Sequence, residues 1–321
     1  MSYQFYKVHE LIGSDDNINK LYFNGLSSNP NAISILEKNL DNVDWWNLSA
    51  NPNAISIFEK NLDKVHWYML STNPNAISIL EKNLDKVHWE NLSANPNAIS
   101  ILENNFNKID WSMLSANPNA ISILEKNLDK VDWRKLSANP KAISILENNF
   151  NKICWNRLCD NPNVCHILKD NLDKINEYDW GMLSVNPNAI PILKENLHKV
   201  YWNWLSANPN AIFILENNLD KVDWRMLSAN PNAIHILEKN LDKIDWDNFS
   251  SNINSISILK NNLDKIDWWY LSMNPSIFTY DYPKIQKHFL EGVGRELIEW
   301  IWNPKNMKKW EEWKIFDMND D

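Results

Sequence analysis

Apolar and polar positions follow one motif along this chain, written most fully from Leu48 to Leu70 as LSANPNAISIFEKNLDKVHWYML. Ala54, Ile55, Ile57 and Phe58 fall on one face of a helix, with Ser56 at the centre of the opposite face. Asn51 before Pro52 reads as the helix start. The Asn side chain accepts an orphan backbone N–H, and proline next to it has a preset φ and lacks only an N–H that would go unpaired. Asn61, followed by Leu62, reads as the stop, with Asn in the left-handed position that glycine usually fills, since the chain has only 5 glycines. The first predicted helix is therefore about 9–10 residues, roughly 14 Å long. A shorter helix starts at Trp67. The residue before it, Asp in most copies, is its N-cap, and Val65 with Leu70 forms a hydrophobic staple.

Pro52 has equivalents at Pro30, Pro74, Pro96, Pro118, Pro140, Pro162, Pro187, Pro209, Pro231 and Pro275, with Ile253 standing in once. The step is 22 residues except for one of 25. A fixed period of this length marks a repeat array. One unit is too small to bury its own stripe, so neighbours must cover it. The predicted fold is all-α: an α-solenoid of about twelve αα-hairpin repeats with helical caps. At ~8–10 Å per layer it would extend on the order of 100 Å. The competing fold is a leucine-rich-repeat-like horseshoe, whose pattern Trp67, Leu70 and Asn73 echo. Ser71 and Thr72 occupy the positions where its alternating strand would continue, which argues against it. The structural framework is carried by Asn51, Pro52, Asn61, Trp67, Leu70 and their copies.

Three regions follow. Residues 1–26 are an N-terminal cap containing a degenerate half repeat, since Asn17 to Leu26 aligns with Asn39 to Leu48. Residues 27–274 are the array, and residues 275–321 form a C-terminal helical cap. Within the array, 154–205 is irregular: Cys154 replaces a cap Asp, Cys159 a Ser and Cys165 a core Ile beside His166. Asn176-Glu177-Tyr178 is an insertion. Pro191 is expected at the fifth helical position, where it would bend the helix. The zone reads as a bend, a site or drift within tolerant repeats.

Charge and chemistry narrow the function. A net charge of −9 and a pI near 5.3 argue against a general polyanion binder. The three clustered cysteines suggest a reducing compartment rather than a disulfide framework. No apolar run is long enough to span a membrane, and the start lacks a signal-peptide core, so a soluble intracellular protein is expected. Cys154, Cys159, Cys165 and His166 have a spacing unlike standard zinc patterns. Gly292-Val293-Gly294 lacks both the preceding strand and the third glycine of a dinucleotide loop. No hydrolase, P-loop or metalloprotease signature occurs, so the expectation is a non-enzyme with no cofactor and no metal.

The variable positions are the two residues after each repeat Trp. They include Trp46, Tyr68, Met69, Arg134, Lys135, Arg157, Trp204, Arg225, Met226, Trp269 and Tyr270. Aromatics, Met and Arg are enriched at interfaces, so this row is the candidate partner-contact ridge, although relaxed surface drift yields the same pattern. The repeat Trp row reads as a core ladder. Nucleic-acid stacking is the weaker reading, because no basic groove accompanies it. The Glu59/Lys60 and Asp63/Lys64 rows read as a solvated face.

The NPNAI units, together with the tail YDY…ELIEWIWNPKNMKKW, resemble the short-repeat proteins of giant double-stranded DNA viruses of amoebae and algae, the mimivirus type. Asn303 departs from that family's tail, where His is frequent. The resemblance covers almost the whole chain. It implies a viral source and a place in the cytoplasm of the infected cell or in the virion, and it supplies no catalytic residues. The expected role is a scaffold for a viral or host protein partner, with a structural component of a virion or viral factory second and nucleic-acid binding through the Trp row third. Oligomeric state is left open.

Overall fold

The computed structural model describes residues 6–9, 17 and 19–291. It is an all-α repeat solenoid, apart from one pair of three-residue strands, β1 (Tyr6–Val8) and β2 (Phe278–Tyr280). The first part of the expected N-terminal cap, residues 1–16, lies largely outside the described residues. So do the tail positions from 292 onward, including Leu297, Ile298, Ile301, Trp302, Trp310 and Trp313.

Each unit is the expected helix pair. The Trp helices, such as Trp45–Ala50, Trp111–Ala116 and Trp224–Ala229, begin where the capping pattern puts them. Asp44, Asp110 and Asp223 accept the N–H groups of Asn47, Met113 and Met226 at 2.7–3.0 Å. Leu48, Leu70 and their copies are fully buried.

The Ile helices are shorter than predicted, as in Ile55–Phe58, Ile77–Glu81 and Ile99–Asn104. The cause is the use of Asn51. Its Oδ1 accepts from Asn53 N–H at 3.0 Å, closing a turn over Pro52, so the helix starts only after Ala54. Its Nδ2 donates to the carbonyls of Ser27 and Asn29, both at 3.0 Å, in the preceding unit. Asn51 thus makes the expected capping-type bond with its Oδ1, but to a turn before the helix, and is also an inter-unit bridge through its Nδ2. The stop at Asn61 is also corrected: its Nδ2 donates to the Ile57 carbonyl at 2.9 Å. The equivalent Asn105 has φ −131°, so no left-handed residue is involved. Pro191 sits near the start of Ile190–Glu195, where it has no backbone bond to lose, and the expected bend does not occur.

The asparagine ladder does not end at the termini. Asn29 Nδ2 donates to the carbonyls of Ser272 and Asn274, both at 3.1 Å, repeating the bond pair that joins every other step. Tyr22 N–H donates to Ser272 Oγ at 2.8 Å, as Asp44 N–H does to Ser27 Oγ. Helix Phe23–Ser28 packs directly on Trp268–Met273. The solenoid is therefore a closed ring rather than an extended body with capped ends. Its twelfth unit is split. Pro275–Ile277 supplies the start of the Ile half, and residues 19–28 supply the loop and the second helix. β1 and β2, antiparallel with Lys7 opposite Thr279, clasp the two ends. Closure in twelve steps requires each unit to turn by about 30°.

Neighbouring Trp helices have Cα atoms within 8 Å of each other, whereas successive Ile helices do not pack together to the same extent. The layer whose members approach most closely has the smaller radius. The Trp helices are therefore the inner wall, and the Ile helices the outer one. With helix spacing of ~8–10 Å, twelve inner helices surround an opening roughly 20–25 Å across. The core lies between the walls, continuous around the ring, from Ala54, Ile57, Phe58, Val65 and Leu70 and their copies.

Candidate functional site

The exposed face of each Trp helix carries the two variable positions, so the ring gathers the candidate ridge onto its inner wall. Trp46, Tyr68, Trp204, Met226 and Trp269 are exposed there, as are Arg134 and Arg225, while Met69, Lys135, Arg157 and Tyr270 are half-buried. Trp46 stacks on Tyr68 with centroids 5.8 Å apart, and His66 tilts against Trp46 at 4.1 Å. Trp269 meets Tyr270 edge-on at 4.8 Å. Ring closure brings these two aromatic groups to either side of Asn24 and Gly25, which no reading of a linear array would do.

The repeat Trp themselves are half-buried against the core, except Trp180, which is buried in it. Most are covered from the next unit by a lysine: Lys64 lies over Trp45 at 5.6 Å, Lys86 over Trp67 at 5.1 Å and Lys265 over Trp246 at 4.6 Å. The seam repeats this, with Lys20 over Trp268 at 5.0 Å. The Lys64 row is therefore not simply a solvated face; it occupies the Trp surfaces that a stacked base would need. On the outer wall, Glu37 accepts from Ser56 Oγ, and Glu147 and Glu216 meet His166 and His235 of the following units.

The inner wall is broken at one place. Elsewhere the second-helix Ser receives the N–H of the next unit's cap residue. At Cys159 that link is missing, although its thiol keeps, at 3.4 Å, the contact to the Trp155 carbonyl that the serines make to theirs. The next unit is capped by a local turn, in which Asp179 Oδ2 accepts from Asn176 N–H at 2.8 Å and Asn176 Oδ1 accepts from Tyr178 N–H at 2.9 Å. The asparagine ladder still crosses the gap, from Asn186 to Cys159 and Asn161 at 2.9 and 3.1 Å. Two hollows flank the inserted residues. One of ≈ 740 Å³ lies toward Glu177, His198 and Lys199, and one of ≈ 340 Å³ opens on the inner wall between Arg134, Arg157, Tyr178, Met182, Tyr201 and Trp204.

Gly181 contributes to the smaller cleft by what it lacks. It holds the first variable position, where other units carry Trp46, Tyr68 or Arg134. A Cβ there would meet Tyr201 and Trp204 ring atoms at 3.7–3.9 Å, ordinary contact distances. The rim electrostatics are defined. Arg157 pairs with Asp160 at 2.9 Å. Burial raises the Asp160 carboxyl, Arg157 opposes this, and Asp179 adds to it. At Asp132 burial acts upward, but the Ser112 hydroxyl, the N–H groups of Lys135 and Arg134 and the Lys135 charge outweigh it and hold the carboxyl low. The Arg134 guanidinium has no hydrogen bond or ion pair among the described residues.

Sequence reasoning placed Arg134, Arg157, Gly181 and Trp204 on the variable row and Tyr178 in the insertion, but missed Tyr201 and the grouping of them all. The signal for that grouping was the departure of Tyr178, Gly181 and Tyr201 from the repeat. Cys154, Cys159, Cys165 and His166 are not brought together as ligands: each has its own neighbour, and no cluster that could hold a metal occurs among the described residues. Burial drives the Cys159 thiol to about 12, leaving it unreactive as a nucleophile. No helix among the described residues is long and apolar enough to cross a membrane.

The fold and the wall define a class, a closed ring of αα-hairpins whose variable side chains face its centre. No protein-family model, curated protein or solved structure matches the chain.

Proposed function

We infer that the protein is a non-enzymatic scaffold that binds a protein partner on the inner wall of its ring. The observation carrying this reading is the division of labour within each Trp helix. Its buried face repeats Leu and Ser with little change, while its exposed face varies among Trp, Tyr, Met, Arg, Asn and Asp on a shared concave surface. Large aromatics and Arg are the side chains that carry most binding energy in interfaces. An opening roughly 20–25 Å across admits a helix or an extended segment of a partner. The lysine cover over the repeat Trp, together with the mixed signs of Glu90, Arg134, Arg225 and Asp247 on the wall, favours protein over nucleic acid. The viral resemblance makes a viral or host protein the natural partner.

The test is affinity capture of the tagged protein from its source cells, with and without nuclease. A stoichiometric protein partner should survive nuclease and be lost in the Tyr68→Ser/Trp269→Ser variant. Recovery of nucleic acid, or of partners released by nuclease, contradicts the reading.

A further inference from the structure

We propose that the cleft beside the insertion is a peptide-binding site, which takes a short segment bearing a carboxylate next to an aromatic or long aliphatic side chain. The proposal rests on the inner-wall reading and names its principal pocket.

Departures from the repeat converge here. The insertion supplies Tyr178, the most exposed large aromatic of the described residues at 84%. Gly181 removes a wall side chain. Tyr201 replaces a capping residue and makes no cap bond, and Cys159 gives up the inter-unit link. Uncapped helices of this layer also follow Tyr22, His66 and Cys154, but only here do an insertion, a glycine in the variable row and an aromatic cap residue, Tyr178, Gly181 and Tyr201, border one cleft of ≈ 340 Å³.

The lining selects the ligand. Tyr201, Trp204 and Met182, with the exposed Tyr178 at the rim, form an apolar and aromatic lining suited to one large side chain. Arg134 and Arg157 stand over it. The neighbouring carboxylates are already engaged: Asp132 by Ser112 and backbone N–H groups, Asp160 by Arg157, and Asp179 by Asn176. Arg134 is left as an unmatched, planar donor that fits a carboxylate through two parallel hydrogen bonds. The cleft is at the small end of ligand pockets, about the size of two adjoining side chains. It is open to the ring centre, as a site reading a segment of a larger partner must be.

The test is selection of a phage-displayed library of random 12-residue peptides on the full-length protein. The best synthetic peptide is then titrated by fluorescence polarisation, with adenosine monophosphate as competitor. Enriched peptides should pair Asp or Glu with Phe, Tyr, Trp or Leu. Binding should be abolished in Gly181→Leu, whose Cβ would sit 3.7–3.9 Å from the Tyr201 and Trp204 rings and whose branch would project into the cleft, and weakened about tenfold in Arg134→Gln. It should be unchanged in Lys239→Gln on the outer wall. Peptides that bind Gly181→Leu and Arg134→Gln normally but fail on Tyr68→Ser/Trp269→Ser would overturn the cleft and leave the inner-wall reading intact. An absence of acidic-aromatic enrichment, or displacement by adenosine monophosphate, would also overturn it. A failed selection combined with no captured protein partner would remove the inner-wall reading as well.

Discussion

The side-chain amide of Asn29 donates to the carbonyl of Ser272 at 3.1 Å, across 243 residues of sequence. This is the same bond that Asn51 makes to Ser27 across 24 residues. The seam of the ring thus uses the joint of every other step, to which the β1–β2 pair is added.

The seam also needs closeness. A Cβ on Gly25 would lie 2.8 Å from Ser272 Cβ and 3.2 Å from Met273 Cγ. Gly25→Val should therefore force the first and last Trp helices apart at a cost of about 1–3 kcal/mol. The expected result is a larger Stokes radius in size-exclusion chromatography with far-UV circular dichroism nearly unchanged.

The ladder amides should be among the most sensitive polar groups. Asn117 is fully buried and donates to Ser93 and Asn95 carbonyls at 3.0 and 2.9 Å. Asn117→Ala strands both carbonyls and should destabilise by about 3 kcal/mol. Asn119→Ala, whose amide makes one exposed bond to the Pro96 carbonyl at 2.9 Å, should cost about 1 kcal/mol or less. Urea unfolding of both variants checks the order.

Asp160 gives a pH prediction. Burial raises its carboxyl above the ordinary 3.8, with Arg157 opposing and Asp179 adding to the rise. The folded state therefore holds this proton more readily than the unfolded chain does. The resulting stability is fully present below 3.8 and is lost as pH rises through the folded value. Asp160→Asn should melt higher than the wild type at pH 7, and the two should converge near pH 3.5. Melting curves at the two values test the sign.

Cys154 precedes Trp155 at a cap position and makes no cap bond. Cys154→Asp should restore the bond that Asp110 and Asp223 make, and stabilise by about 1 kcal/mol in urea titration. No change in midpoint would mean that the irregular zone tolerates an uncapped helix without cost.

The helix pair, the array and the Asp caps were legible because each is written within one 22-residue unit, in apolar spacing and capping residues. The roles of Asn51 and Lys64 were not. Their partners, Ser27 and Trp45, lie one unit back, and only the distance between layers shows that the side chains reach. Closure depends on the turn per unit, which no single unit encodes. One trace of it stood in plain view: Asn17 to Leu26 aligns with only the second half of a unit, and Asn274-Pro275 repeats the start of one. Those two halves make one unit. The cleft was half legible. Arg134, Arg157, Gly181 and Trp204 lie on the variable row and Tyr178 in the insertion, but nothing joined them to one another or to Tyr201 until the structure put them around one space.

Closure is the claim on which the inner wall depends. Its most direct measurement is electron–electron double resonance between spin labels on the exposed residues Asp41 and Asp264, introduced as Asp41→Cys and Asp264→Cys with the three native cysteines replaced by serine. The labels are ten units apart along the chain but two units apart across the seam. A closed ring predicts a distance of about 20–30 Å at ~8–10 Å per layer. A distance beyond about 70 Å, as an extended solenoid of the same layers would give, would contradict it.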